Sequence, residues 1–107
     1  MLVVYSINRL AKSGHRESFI VLFTVARELK LLDNLKKTQN MVMILHAMSL
    51  QEYYDIDLWK NLMTQILMSD DITTQTMANF NDAFHRTLYI SMEVFEIDNP
   101  EVIEKDK

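Results

Sequence analysis

Met41-Val42-Met43-Ile44-Leu45-His46-Ala47-Met48 returns, in its apolar positions, as Met77-Ala78-Asn79-Phe80-Asn81-Asp82-Ala83-Phe84. Met41, Ile44, Ala47 and Met48 map onto Met77, Phe80, Ala83 and Phe84, each thirty-six residues further on. The same logic opens the chain at Val4, Ile7 and Leu10, which map onto Val42, Leu45 and Met48 at thirty-eight. The three-and-four spacing within each copy makes it one face of a helix. The interval between copies is that of stacked helix-turn-helix units, since one pair cannot bury its apolar face without a neighbour.

With 107 residues and 49% apolar composition, the chain supports one small core. Gly and Pro occur once each, too few for the turns of a sandwich, a barrel or a phosphate loop. The expected fold is therefore all-α: a right-turning stack of two to three antiparallel helix pairs, solenoid-like, with about five helices and a long last one. Residues 1–97 form one helical-repeat unit in this reading. Residues 98–107 are a tail or the start of a further helix, with Asn99 as N-cap, Pro100 at the first helical position and Glu101 beside the dipole. That start, so near the terminus, makes the chain read as a fragment of a longer protein.

The spacing predicts helices over Leu2–Lys12, Arg16–Leu31, a third carrying Met41, Ile44, Leu45 and Met48, a fourth capped by Asp55, and a fifth from near Thr73 to Phe95. Ser13-Gly14 ends the first, and Ser69-Asp70-Asp71 ends the fourth and caps the fifth. The second is apolar almost all round, through Phe19, Ile20, Leu22, Phe23, Val25, Ala26 and Leu29, and so is expected at the centre of the core. Ile56, Trp59, Leu62, Met63 and Ile66 are expected to face inward from the fourth.

Cysteine is absent, which excludes a disulfide framework and a zinc ribbon. The longest strongly apolar run, Phe19 to Ala26, falls far short of the roughly 20 residues of a bilayer-spanning helix. His15, His46 and His85 occur without the paired spacing of a bundle metal site. Asp82 and His85 share a helix face, but no nucleophile or second ligand accompanies them, so a surface hydrogen bond is the default reading. No cofactor, no metal, no small-molecule substrate and no catalytic residue is assigned.

Charge is segregated: residues 1–40 carry a balance of +4 and residues 41–107 one of −8. A segregated surface can present a basic end despite a net charge of −4. Arg9, Lys12, Arg16, Lys30, Lys36 and Lys37, with Arg27, are the candidates for contacting phosphate. Tyr53 and Tyr54, in the connection after the third helix, are candidate stacking surfaces for unpaired bases, whereas Trp59 is expected in the core. Met43 and Met68 lie off the main apolar stripes and, with Val94 adding apolar surface, are the candidate partner interface.

The stretches Asn40-Met41-Val42-Met43-Ile44-Leu45-His46-Ala47-Met48, Asp57-Leu58-Trp59-Lys60-Asn61-Leu62 and Ala78-Asn79-Phe80-Asn81-Asp82-Ala83-Phe84 resemble the heptatricopeptide-like helical repeats of FAST-kinase-like and RAP-domain proteins. The resemblance covers roughly residues 38–88 well and the first forty loosely, and the family's nuclease-like module is missing. It implies a mitochondrial-matrix protein concerned with organellar RNA. The expected role is non-enzymatic: a scaffold of the mitochondrial ribosome or another ribonucleoprotein, with other protein subunits as partners and rRNA or mitochondrial transcripts as the RNA. The rival is an adaptor in a respiratory or ATP-synthase assembly without RNA contact. A weaker third reading is an enzyme using Asp82 and His85.

Overall fold

Breaks between apolar stripes produce five helices: α1 (Leu2–Lys12), α2 (Arg16–Glu28), α3 (Thr38–Gln51), α4 (Ile56–Leu67) and α5 (Thr74–Asp98). The structure is a computed structural model that describes residues 2–98, with side chains from Leu2 to Thr87. No strand occurs among the described residues. The candidate helix start at Asn99, Pro100 and Glu101 lies outside the described residues. So do the side chains of Leu88, Met92, Val94 and Phe95.

The helices form two layers. α3 lies between α1 and α5, while α2 packs on α1 and α4 on α3. The Asn8 amide donates to the Met43 carbonyl (3.1 Å), and the Gln51 amide donates to the Ala11 carbonyl (2.8 Å). Both partners advance together along their helices, so α1 and α3 run parallel. α3 and the approach to α5 advance together in the same way, through Thr38 with Asp71 and His46 with Asp82, so α5 runs parallel to α3.

The core centre differs from the sequence expectation. α3 buries Thr38, Asn40 to Val42 and Ile44 to Ser49, because it has neighbours on both sides and α4 behind it. α2 buries only Phe19, Phe23 and Ala26, while Val21 and Leu29 are each 64% exposed. An outer-layer helix has one covered face whatever its composition. The repeat is also unequal in burial: Met41, Ile44, Ala47 and Met48 are all enclosed, but of their counterparts only Ala83 is, with Phe80 partly buried and Met77 and Phe84 exposed. α5 meets α3 on one side only among the described residues.

α2 ends at Glu28, three residues before the expected Leu31, through a Schellman motif. Lys30 adopts a left-handed conformation (φ 59°), its N–H donates to the Arg27 carbonyl, and the Leu31 N–H reaches back to Ala26. The same pair of bonds closes α1 around Gly14 (φ 78°) and α3 around Glu52 (φ 47°). Three helices thus use one stop signal, and only the first uses glycine for it. The break lets Leu32 and Leu35 enter the core beyond the end of the helix.

Asp55 caps α4 as expected, its carboxylate accepting from the Leu58 N–H (3.1 Å). The same carboxylate binds the Arg27 guanidinium at 2.7 Å, and Arg27 also holds Asp33 at 2.7 Å. One cation therefore ties the end of α2 to the start of α4, and its hydrogen bond to Asp55 raises its pKa further. α5 is capped differently from the expectation. Thr73 accepts from the Thr76 N–H, and Asp71 instead accepts from the hydroxyls of Thr38 and Ser69, joining the start of α3 to the α4–α5 link. Leu62 and Ile66 are buried in the core, with Trp59 and Met63 partly buried against it, while Ile56, expected inward, is exposed at the first position of α4.

Candidate nucleic-acid interface

Along α1, the stripe Leu2, Tyr5, Arg9 and Lys12 repeats every three or four residues and points away from the buried stripe Val4, Ile7 and Ala11. With Ser6, Asn8, Ser13 and Met43 it lines a hollow of about 720 Å³. A second hollow, of about 230 Å³, continues across α3 to α5, between Lys12, Gln39, Met43, Gln75 and Asn79. The two share Asn8, Lys12 and Met43, so they form one groove over α1, α3 and α5. Among the described residues, no acid lines either hollow, although the chain carries 15 Asp and Glu.

Asn8 is 5% exposed and forms part of the groove floor. Its side chain is held by the Met43 carbonyl rather than projecting into solvent. Arg9 and Lys12 are exposed at the rim. Met43 lines both hollows half-buried, an apolar side chain at their junction.

The other candidates are dispersed. Arg16 turns from the start of α2 to the Gln51 carbonyl, bracing the end of α3. Lys30 occupies the left-handed stop of α2. Lys36 and Lys37 are exposed at the start of α3, where Lys37 supplies the carbonyl that accepts from Asn40 and Met41. Two cations there oppose the positive end of the helix dipole.

Tyr53 and Tyr54, expected to be open stacking surfaces, are both half-buried. The Tyr53 ring meets Phe19 and Phe23 edge-on, at 5.9 and 5.7 Å, inside the aromatic contact between α2 and the end of α3. The Tyr54 hydroxyl is buried without a hydrogen-bond partner among the described residues, and burial, with Glu52 nearby, raises its pKa. Both tyrosines line a small cleft with Phe23, Thr24, Arg27, Glu28 and Asp55, away from the groove. Met68 is 81% exposed beside exposed Leu67 at the end of α4. Val94 lies outside the described side chains.

Asp82 does not pair with His85. Its carboxylate binds the His46 Nε2 at 2.6 Å and the Arg86 guanidinium at 2.8 Å, and those two bonds hold its pKa below the usual carboxylate value, Arg86 contributing first. His85 is exposed, its ring beside Phe84. His46 is 7% exposed on α3, and its Nδ1 has no partner among the described residues. The sequence signal for this pair was present in the repeat, because His46 and Asp82 are the residues directly before the matched Ala47 and Ala83.

Among the described residues, no group of His, Cys, Asp and Glu could hold a metal ion, and no helix is long and apolar enough to cross a membrane. No protein-family profile, curated protein or solved structure matches the chain.

Proposed function

We propose that this protein is a non-enzymatic helical-repeat component of a mitochondrial ribonucleoprotein, most simply a scaffold of the mitochondrial ribosome, that touches RNA along the groove over α1, α3 and α5. The observation that carries the reading is the acid-free lining of that groove among the described residues, with Arg9 and Lys12 on it, in a chain of net charge −4. Acids kept away from one polar surface let a polyanion approach it despite the overall charge. The compartment rests on the likeness to FAST-kinase-like and RAP-domain repeats. Assembly with other subunits is supported by the exposed apolar residues outside the groove, Leu67 and Met68 on α4 and Val21 and Leu29 on α2.

Those same residues favour the second reading, an adaptor in another large mitochondrial assembly with no RNA contact. Density-gradient sedimentation of the tagged protein from organelle extract, with and without ribonuclease, separates the two. Migration with ribosomal or other ribonucleoprotein particles, displaced by ribonuclease, supports the first. Ribonuclease-resistant migration with a complex free of RNA rejects it in favour of the adaptor.

A further inference from the structure

The positions that line the groove recur at the interval of the fold itself. Tyr5, Met43 and Asn79 stand thirty-eight and then thirty-six residues apart, the shifts that relate α1 to α3 and α3 to α5. One helical turn before Met43 and Asn79 stand Gln39 and Gln75, again thirty-six apart. All five line the hollows, and all but Met43 and Asn79 are exposed. α3 and α5 therefore place the same two helix positions on one surface, and α1 places the second of them there. Parallel packed helices lie roughly 8–10 Å apart, so a ligand crossing them meets equivalent side chains at regular steps.

The chemistry along that path changes in order. Tyr5 offers an exposed ring at the α1 end, Met43 an apolar contact in the middle, and Gln75 and Asn79 a pair of amides at the α5 end. A carboxamide presents donor and acceptor side by side, which matches the edge of a nucleobase, and an aromatic ring matches its face. Arg9 lines the hollow that holds Tyr5 and Met43, and Lys12 lines both hollows, so the cations stand where a phosphate backbone would pass. A duplex hides its base edges from such a surface, whereas an unpaired strand can turn them toward it.

We infer that the groove binds an unpaired RNA strand lying across α1, α3 and α5, with Tyr5 stacking one base, Gln75 and Asn79 reading the edge of another, and Arg9 and Lys12 holding the phosphates between them. This rests on the ribonucleoprotein reading and names the form of RNA and the residues that discriminate among bases. Gln39 and Met43 form the middle step, where the single amide of Gln39 reads less than the pair on α5.

The test uses the full chain and fluorescently labelled short oligo(A), oligo(U) and oligo(C) RNAs, with a stable hairpin of equal length, followed by anisotropy. Single strands bind at least about tenfold more tightly than the hairpin, and one homopolymer is preferred. Replacing Gln75→Ala together with Asn79→Ala lowers the preferred homopolymer's affinity several-fold more than that of the others, so that the preference collapses. Arg9→Glu with Lys12→Glu weakens all of them alike. Circular dichroism shows that each variant keeps its helices.

Equal affinity for hairpin and strands, or a Gln75/Asn79 variant that loses affinity for every homopolymer in proportion, overturns the base-reading inference while leaving RNA contact standing. Failure to bind any RNA overturns both the inference and the ribonucleoprotein reading. Binding of polyglutamate in competition with RNA at equal strength assigns the groove to an acidic protein segment instead.

Discussion

His46 Nε2 lies 2.6 Å from Asp82 Oδ2 across the boundary between α3 and α5, and the two residues are thirty-six positions apart, the interval at which the apolar pattern repeats. Thirty-eight residues before His46 stands Asn8, whose amide donates to the Met43 carbonyl on the next helix. Asn8 and His46 therefore occupy equivalent positions on α1 and α3 and perform equivalent tasks, each reaching forward to the next helix in its layer. Parallel stacking requires this, because equivalent positions point in the same direction.

Asp82→Ala is expected to destabilise by about 1–3 kcal/mol, since it leaves the buried His46 ring without the carboxylate that satisfies its Nε2. Removing both groups, as His46→Leu with Asp82→Ala, is expected to recover much of that loss, because no imidazole nitrogen is then left buried and unpaired. Urea unfolding of the four proteins of the cycle decides it, and strict additivity of the two single losses would show that the pair is not coupled.

Acid should loosen the stack. Asp82 and Asp71 both titrate below the ordinary carboxylate value, Asp82 chiefly because of Arg86 and then His46, and Asp71 because of Ser69 and then Thr38. Their bonds therefore add stability above about pH 4, the unfolded value, and that stability is lost as pH falls through the lower folded values. The Asp82 carboxylate is half-exposed, so its share is under about 1 kcal/mol. Asp82→Asn should flatten the fall in Tm between roughly pH 5 and 3, and an unchanged slope would remove this carboxylate as the cause.

Lys30→Gly and Glu52→Gly should each stabilise the fold. Both residues are exposed and left-handed, a conformation that costs a non-glycine residue about 1–2 kcal/mol, of which glycine's greater unfolded-state entropy takes back part. The net gain is about 0.5–1 kcal/mol, or a few degrees in Tm. Gly14→Ala should lower Tm by a similar amount. A drop in Tm for both glycine variants would contradict the role assigned to the three helix stops.

The position of α3 can be tested against that of α2. Leu45→Ala, at a fully enclosed site, is expected to cost about 2–5 kcal/mol, while Val21→Ala, 64% exposed, stays within about 0.5 kcal/mol. Comparable losses at the two sites would place α2 in the core after all.

The salt dependence of RNA binding gives a separate reading of the groove. Arg9→Glu with Lys12→Glu should flatten the dependence of log affinity on log salt by about 0.7 for each phosphate that the variant no longer neutralises. Lys36→Glu with Lys37→Glu, at the start of α3 and outside the hollows, should leave that slope alone and raise stability by about 0.3–1 kcal/mol through the helix dipole. Titrations at several salt concentrations distinguish the two pairs, and equal slopes for both would remove the groove as the phosphate-contacting face.

Helix class, helix order and most boundaries followed from local spacing: α1 begins and ends at the expected residues, and Asp55 caps α4 through the carboxylate that its position between Tyr54 and Ile56 implied. Those features depend on neighbours within four or five residues, which the sequence displays directly. The stop of α2 at Glu28 was hidden, because Lys30 carries none of the glycine signal that marks Gly14, and it is Leu32 and Leu35 entering the core that holds the turn. Of the candidate site residues, Arg9, Lys12 and Met43 share the groove, while Tyr53 was taken into an aromatic contact with Phe19 and Phe23 that no local pattern announces.

From the sequence alone came the helical class, the interval of the repeat and the segregation of charge, all properties of order along the chain. The tertiary structure decided which helix is central, which partner Asp82 takes and which cations share a surface with Gln75 and Asn79. Those outcomes depend on which faces meet when one helix pair is laid on the next. A repeat interval states that equivalent residues will be brought alongside one another, but only the packing angle and register determine which of them touch.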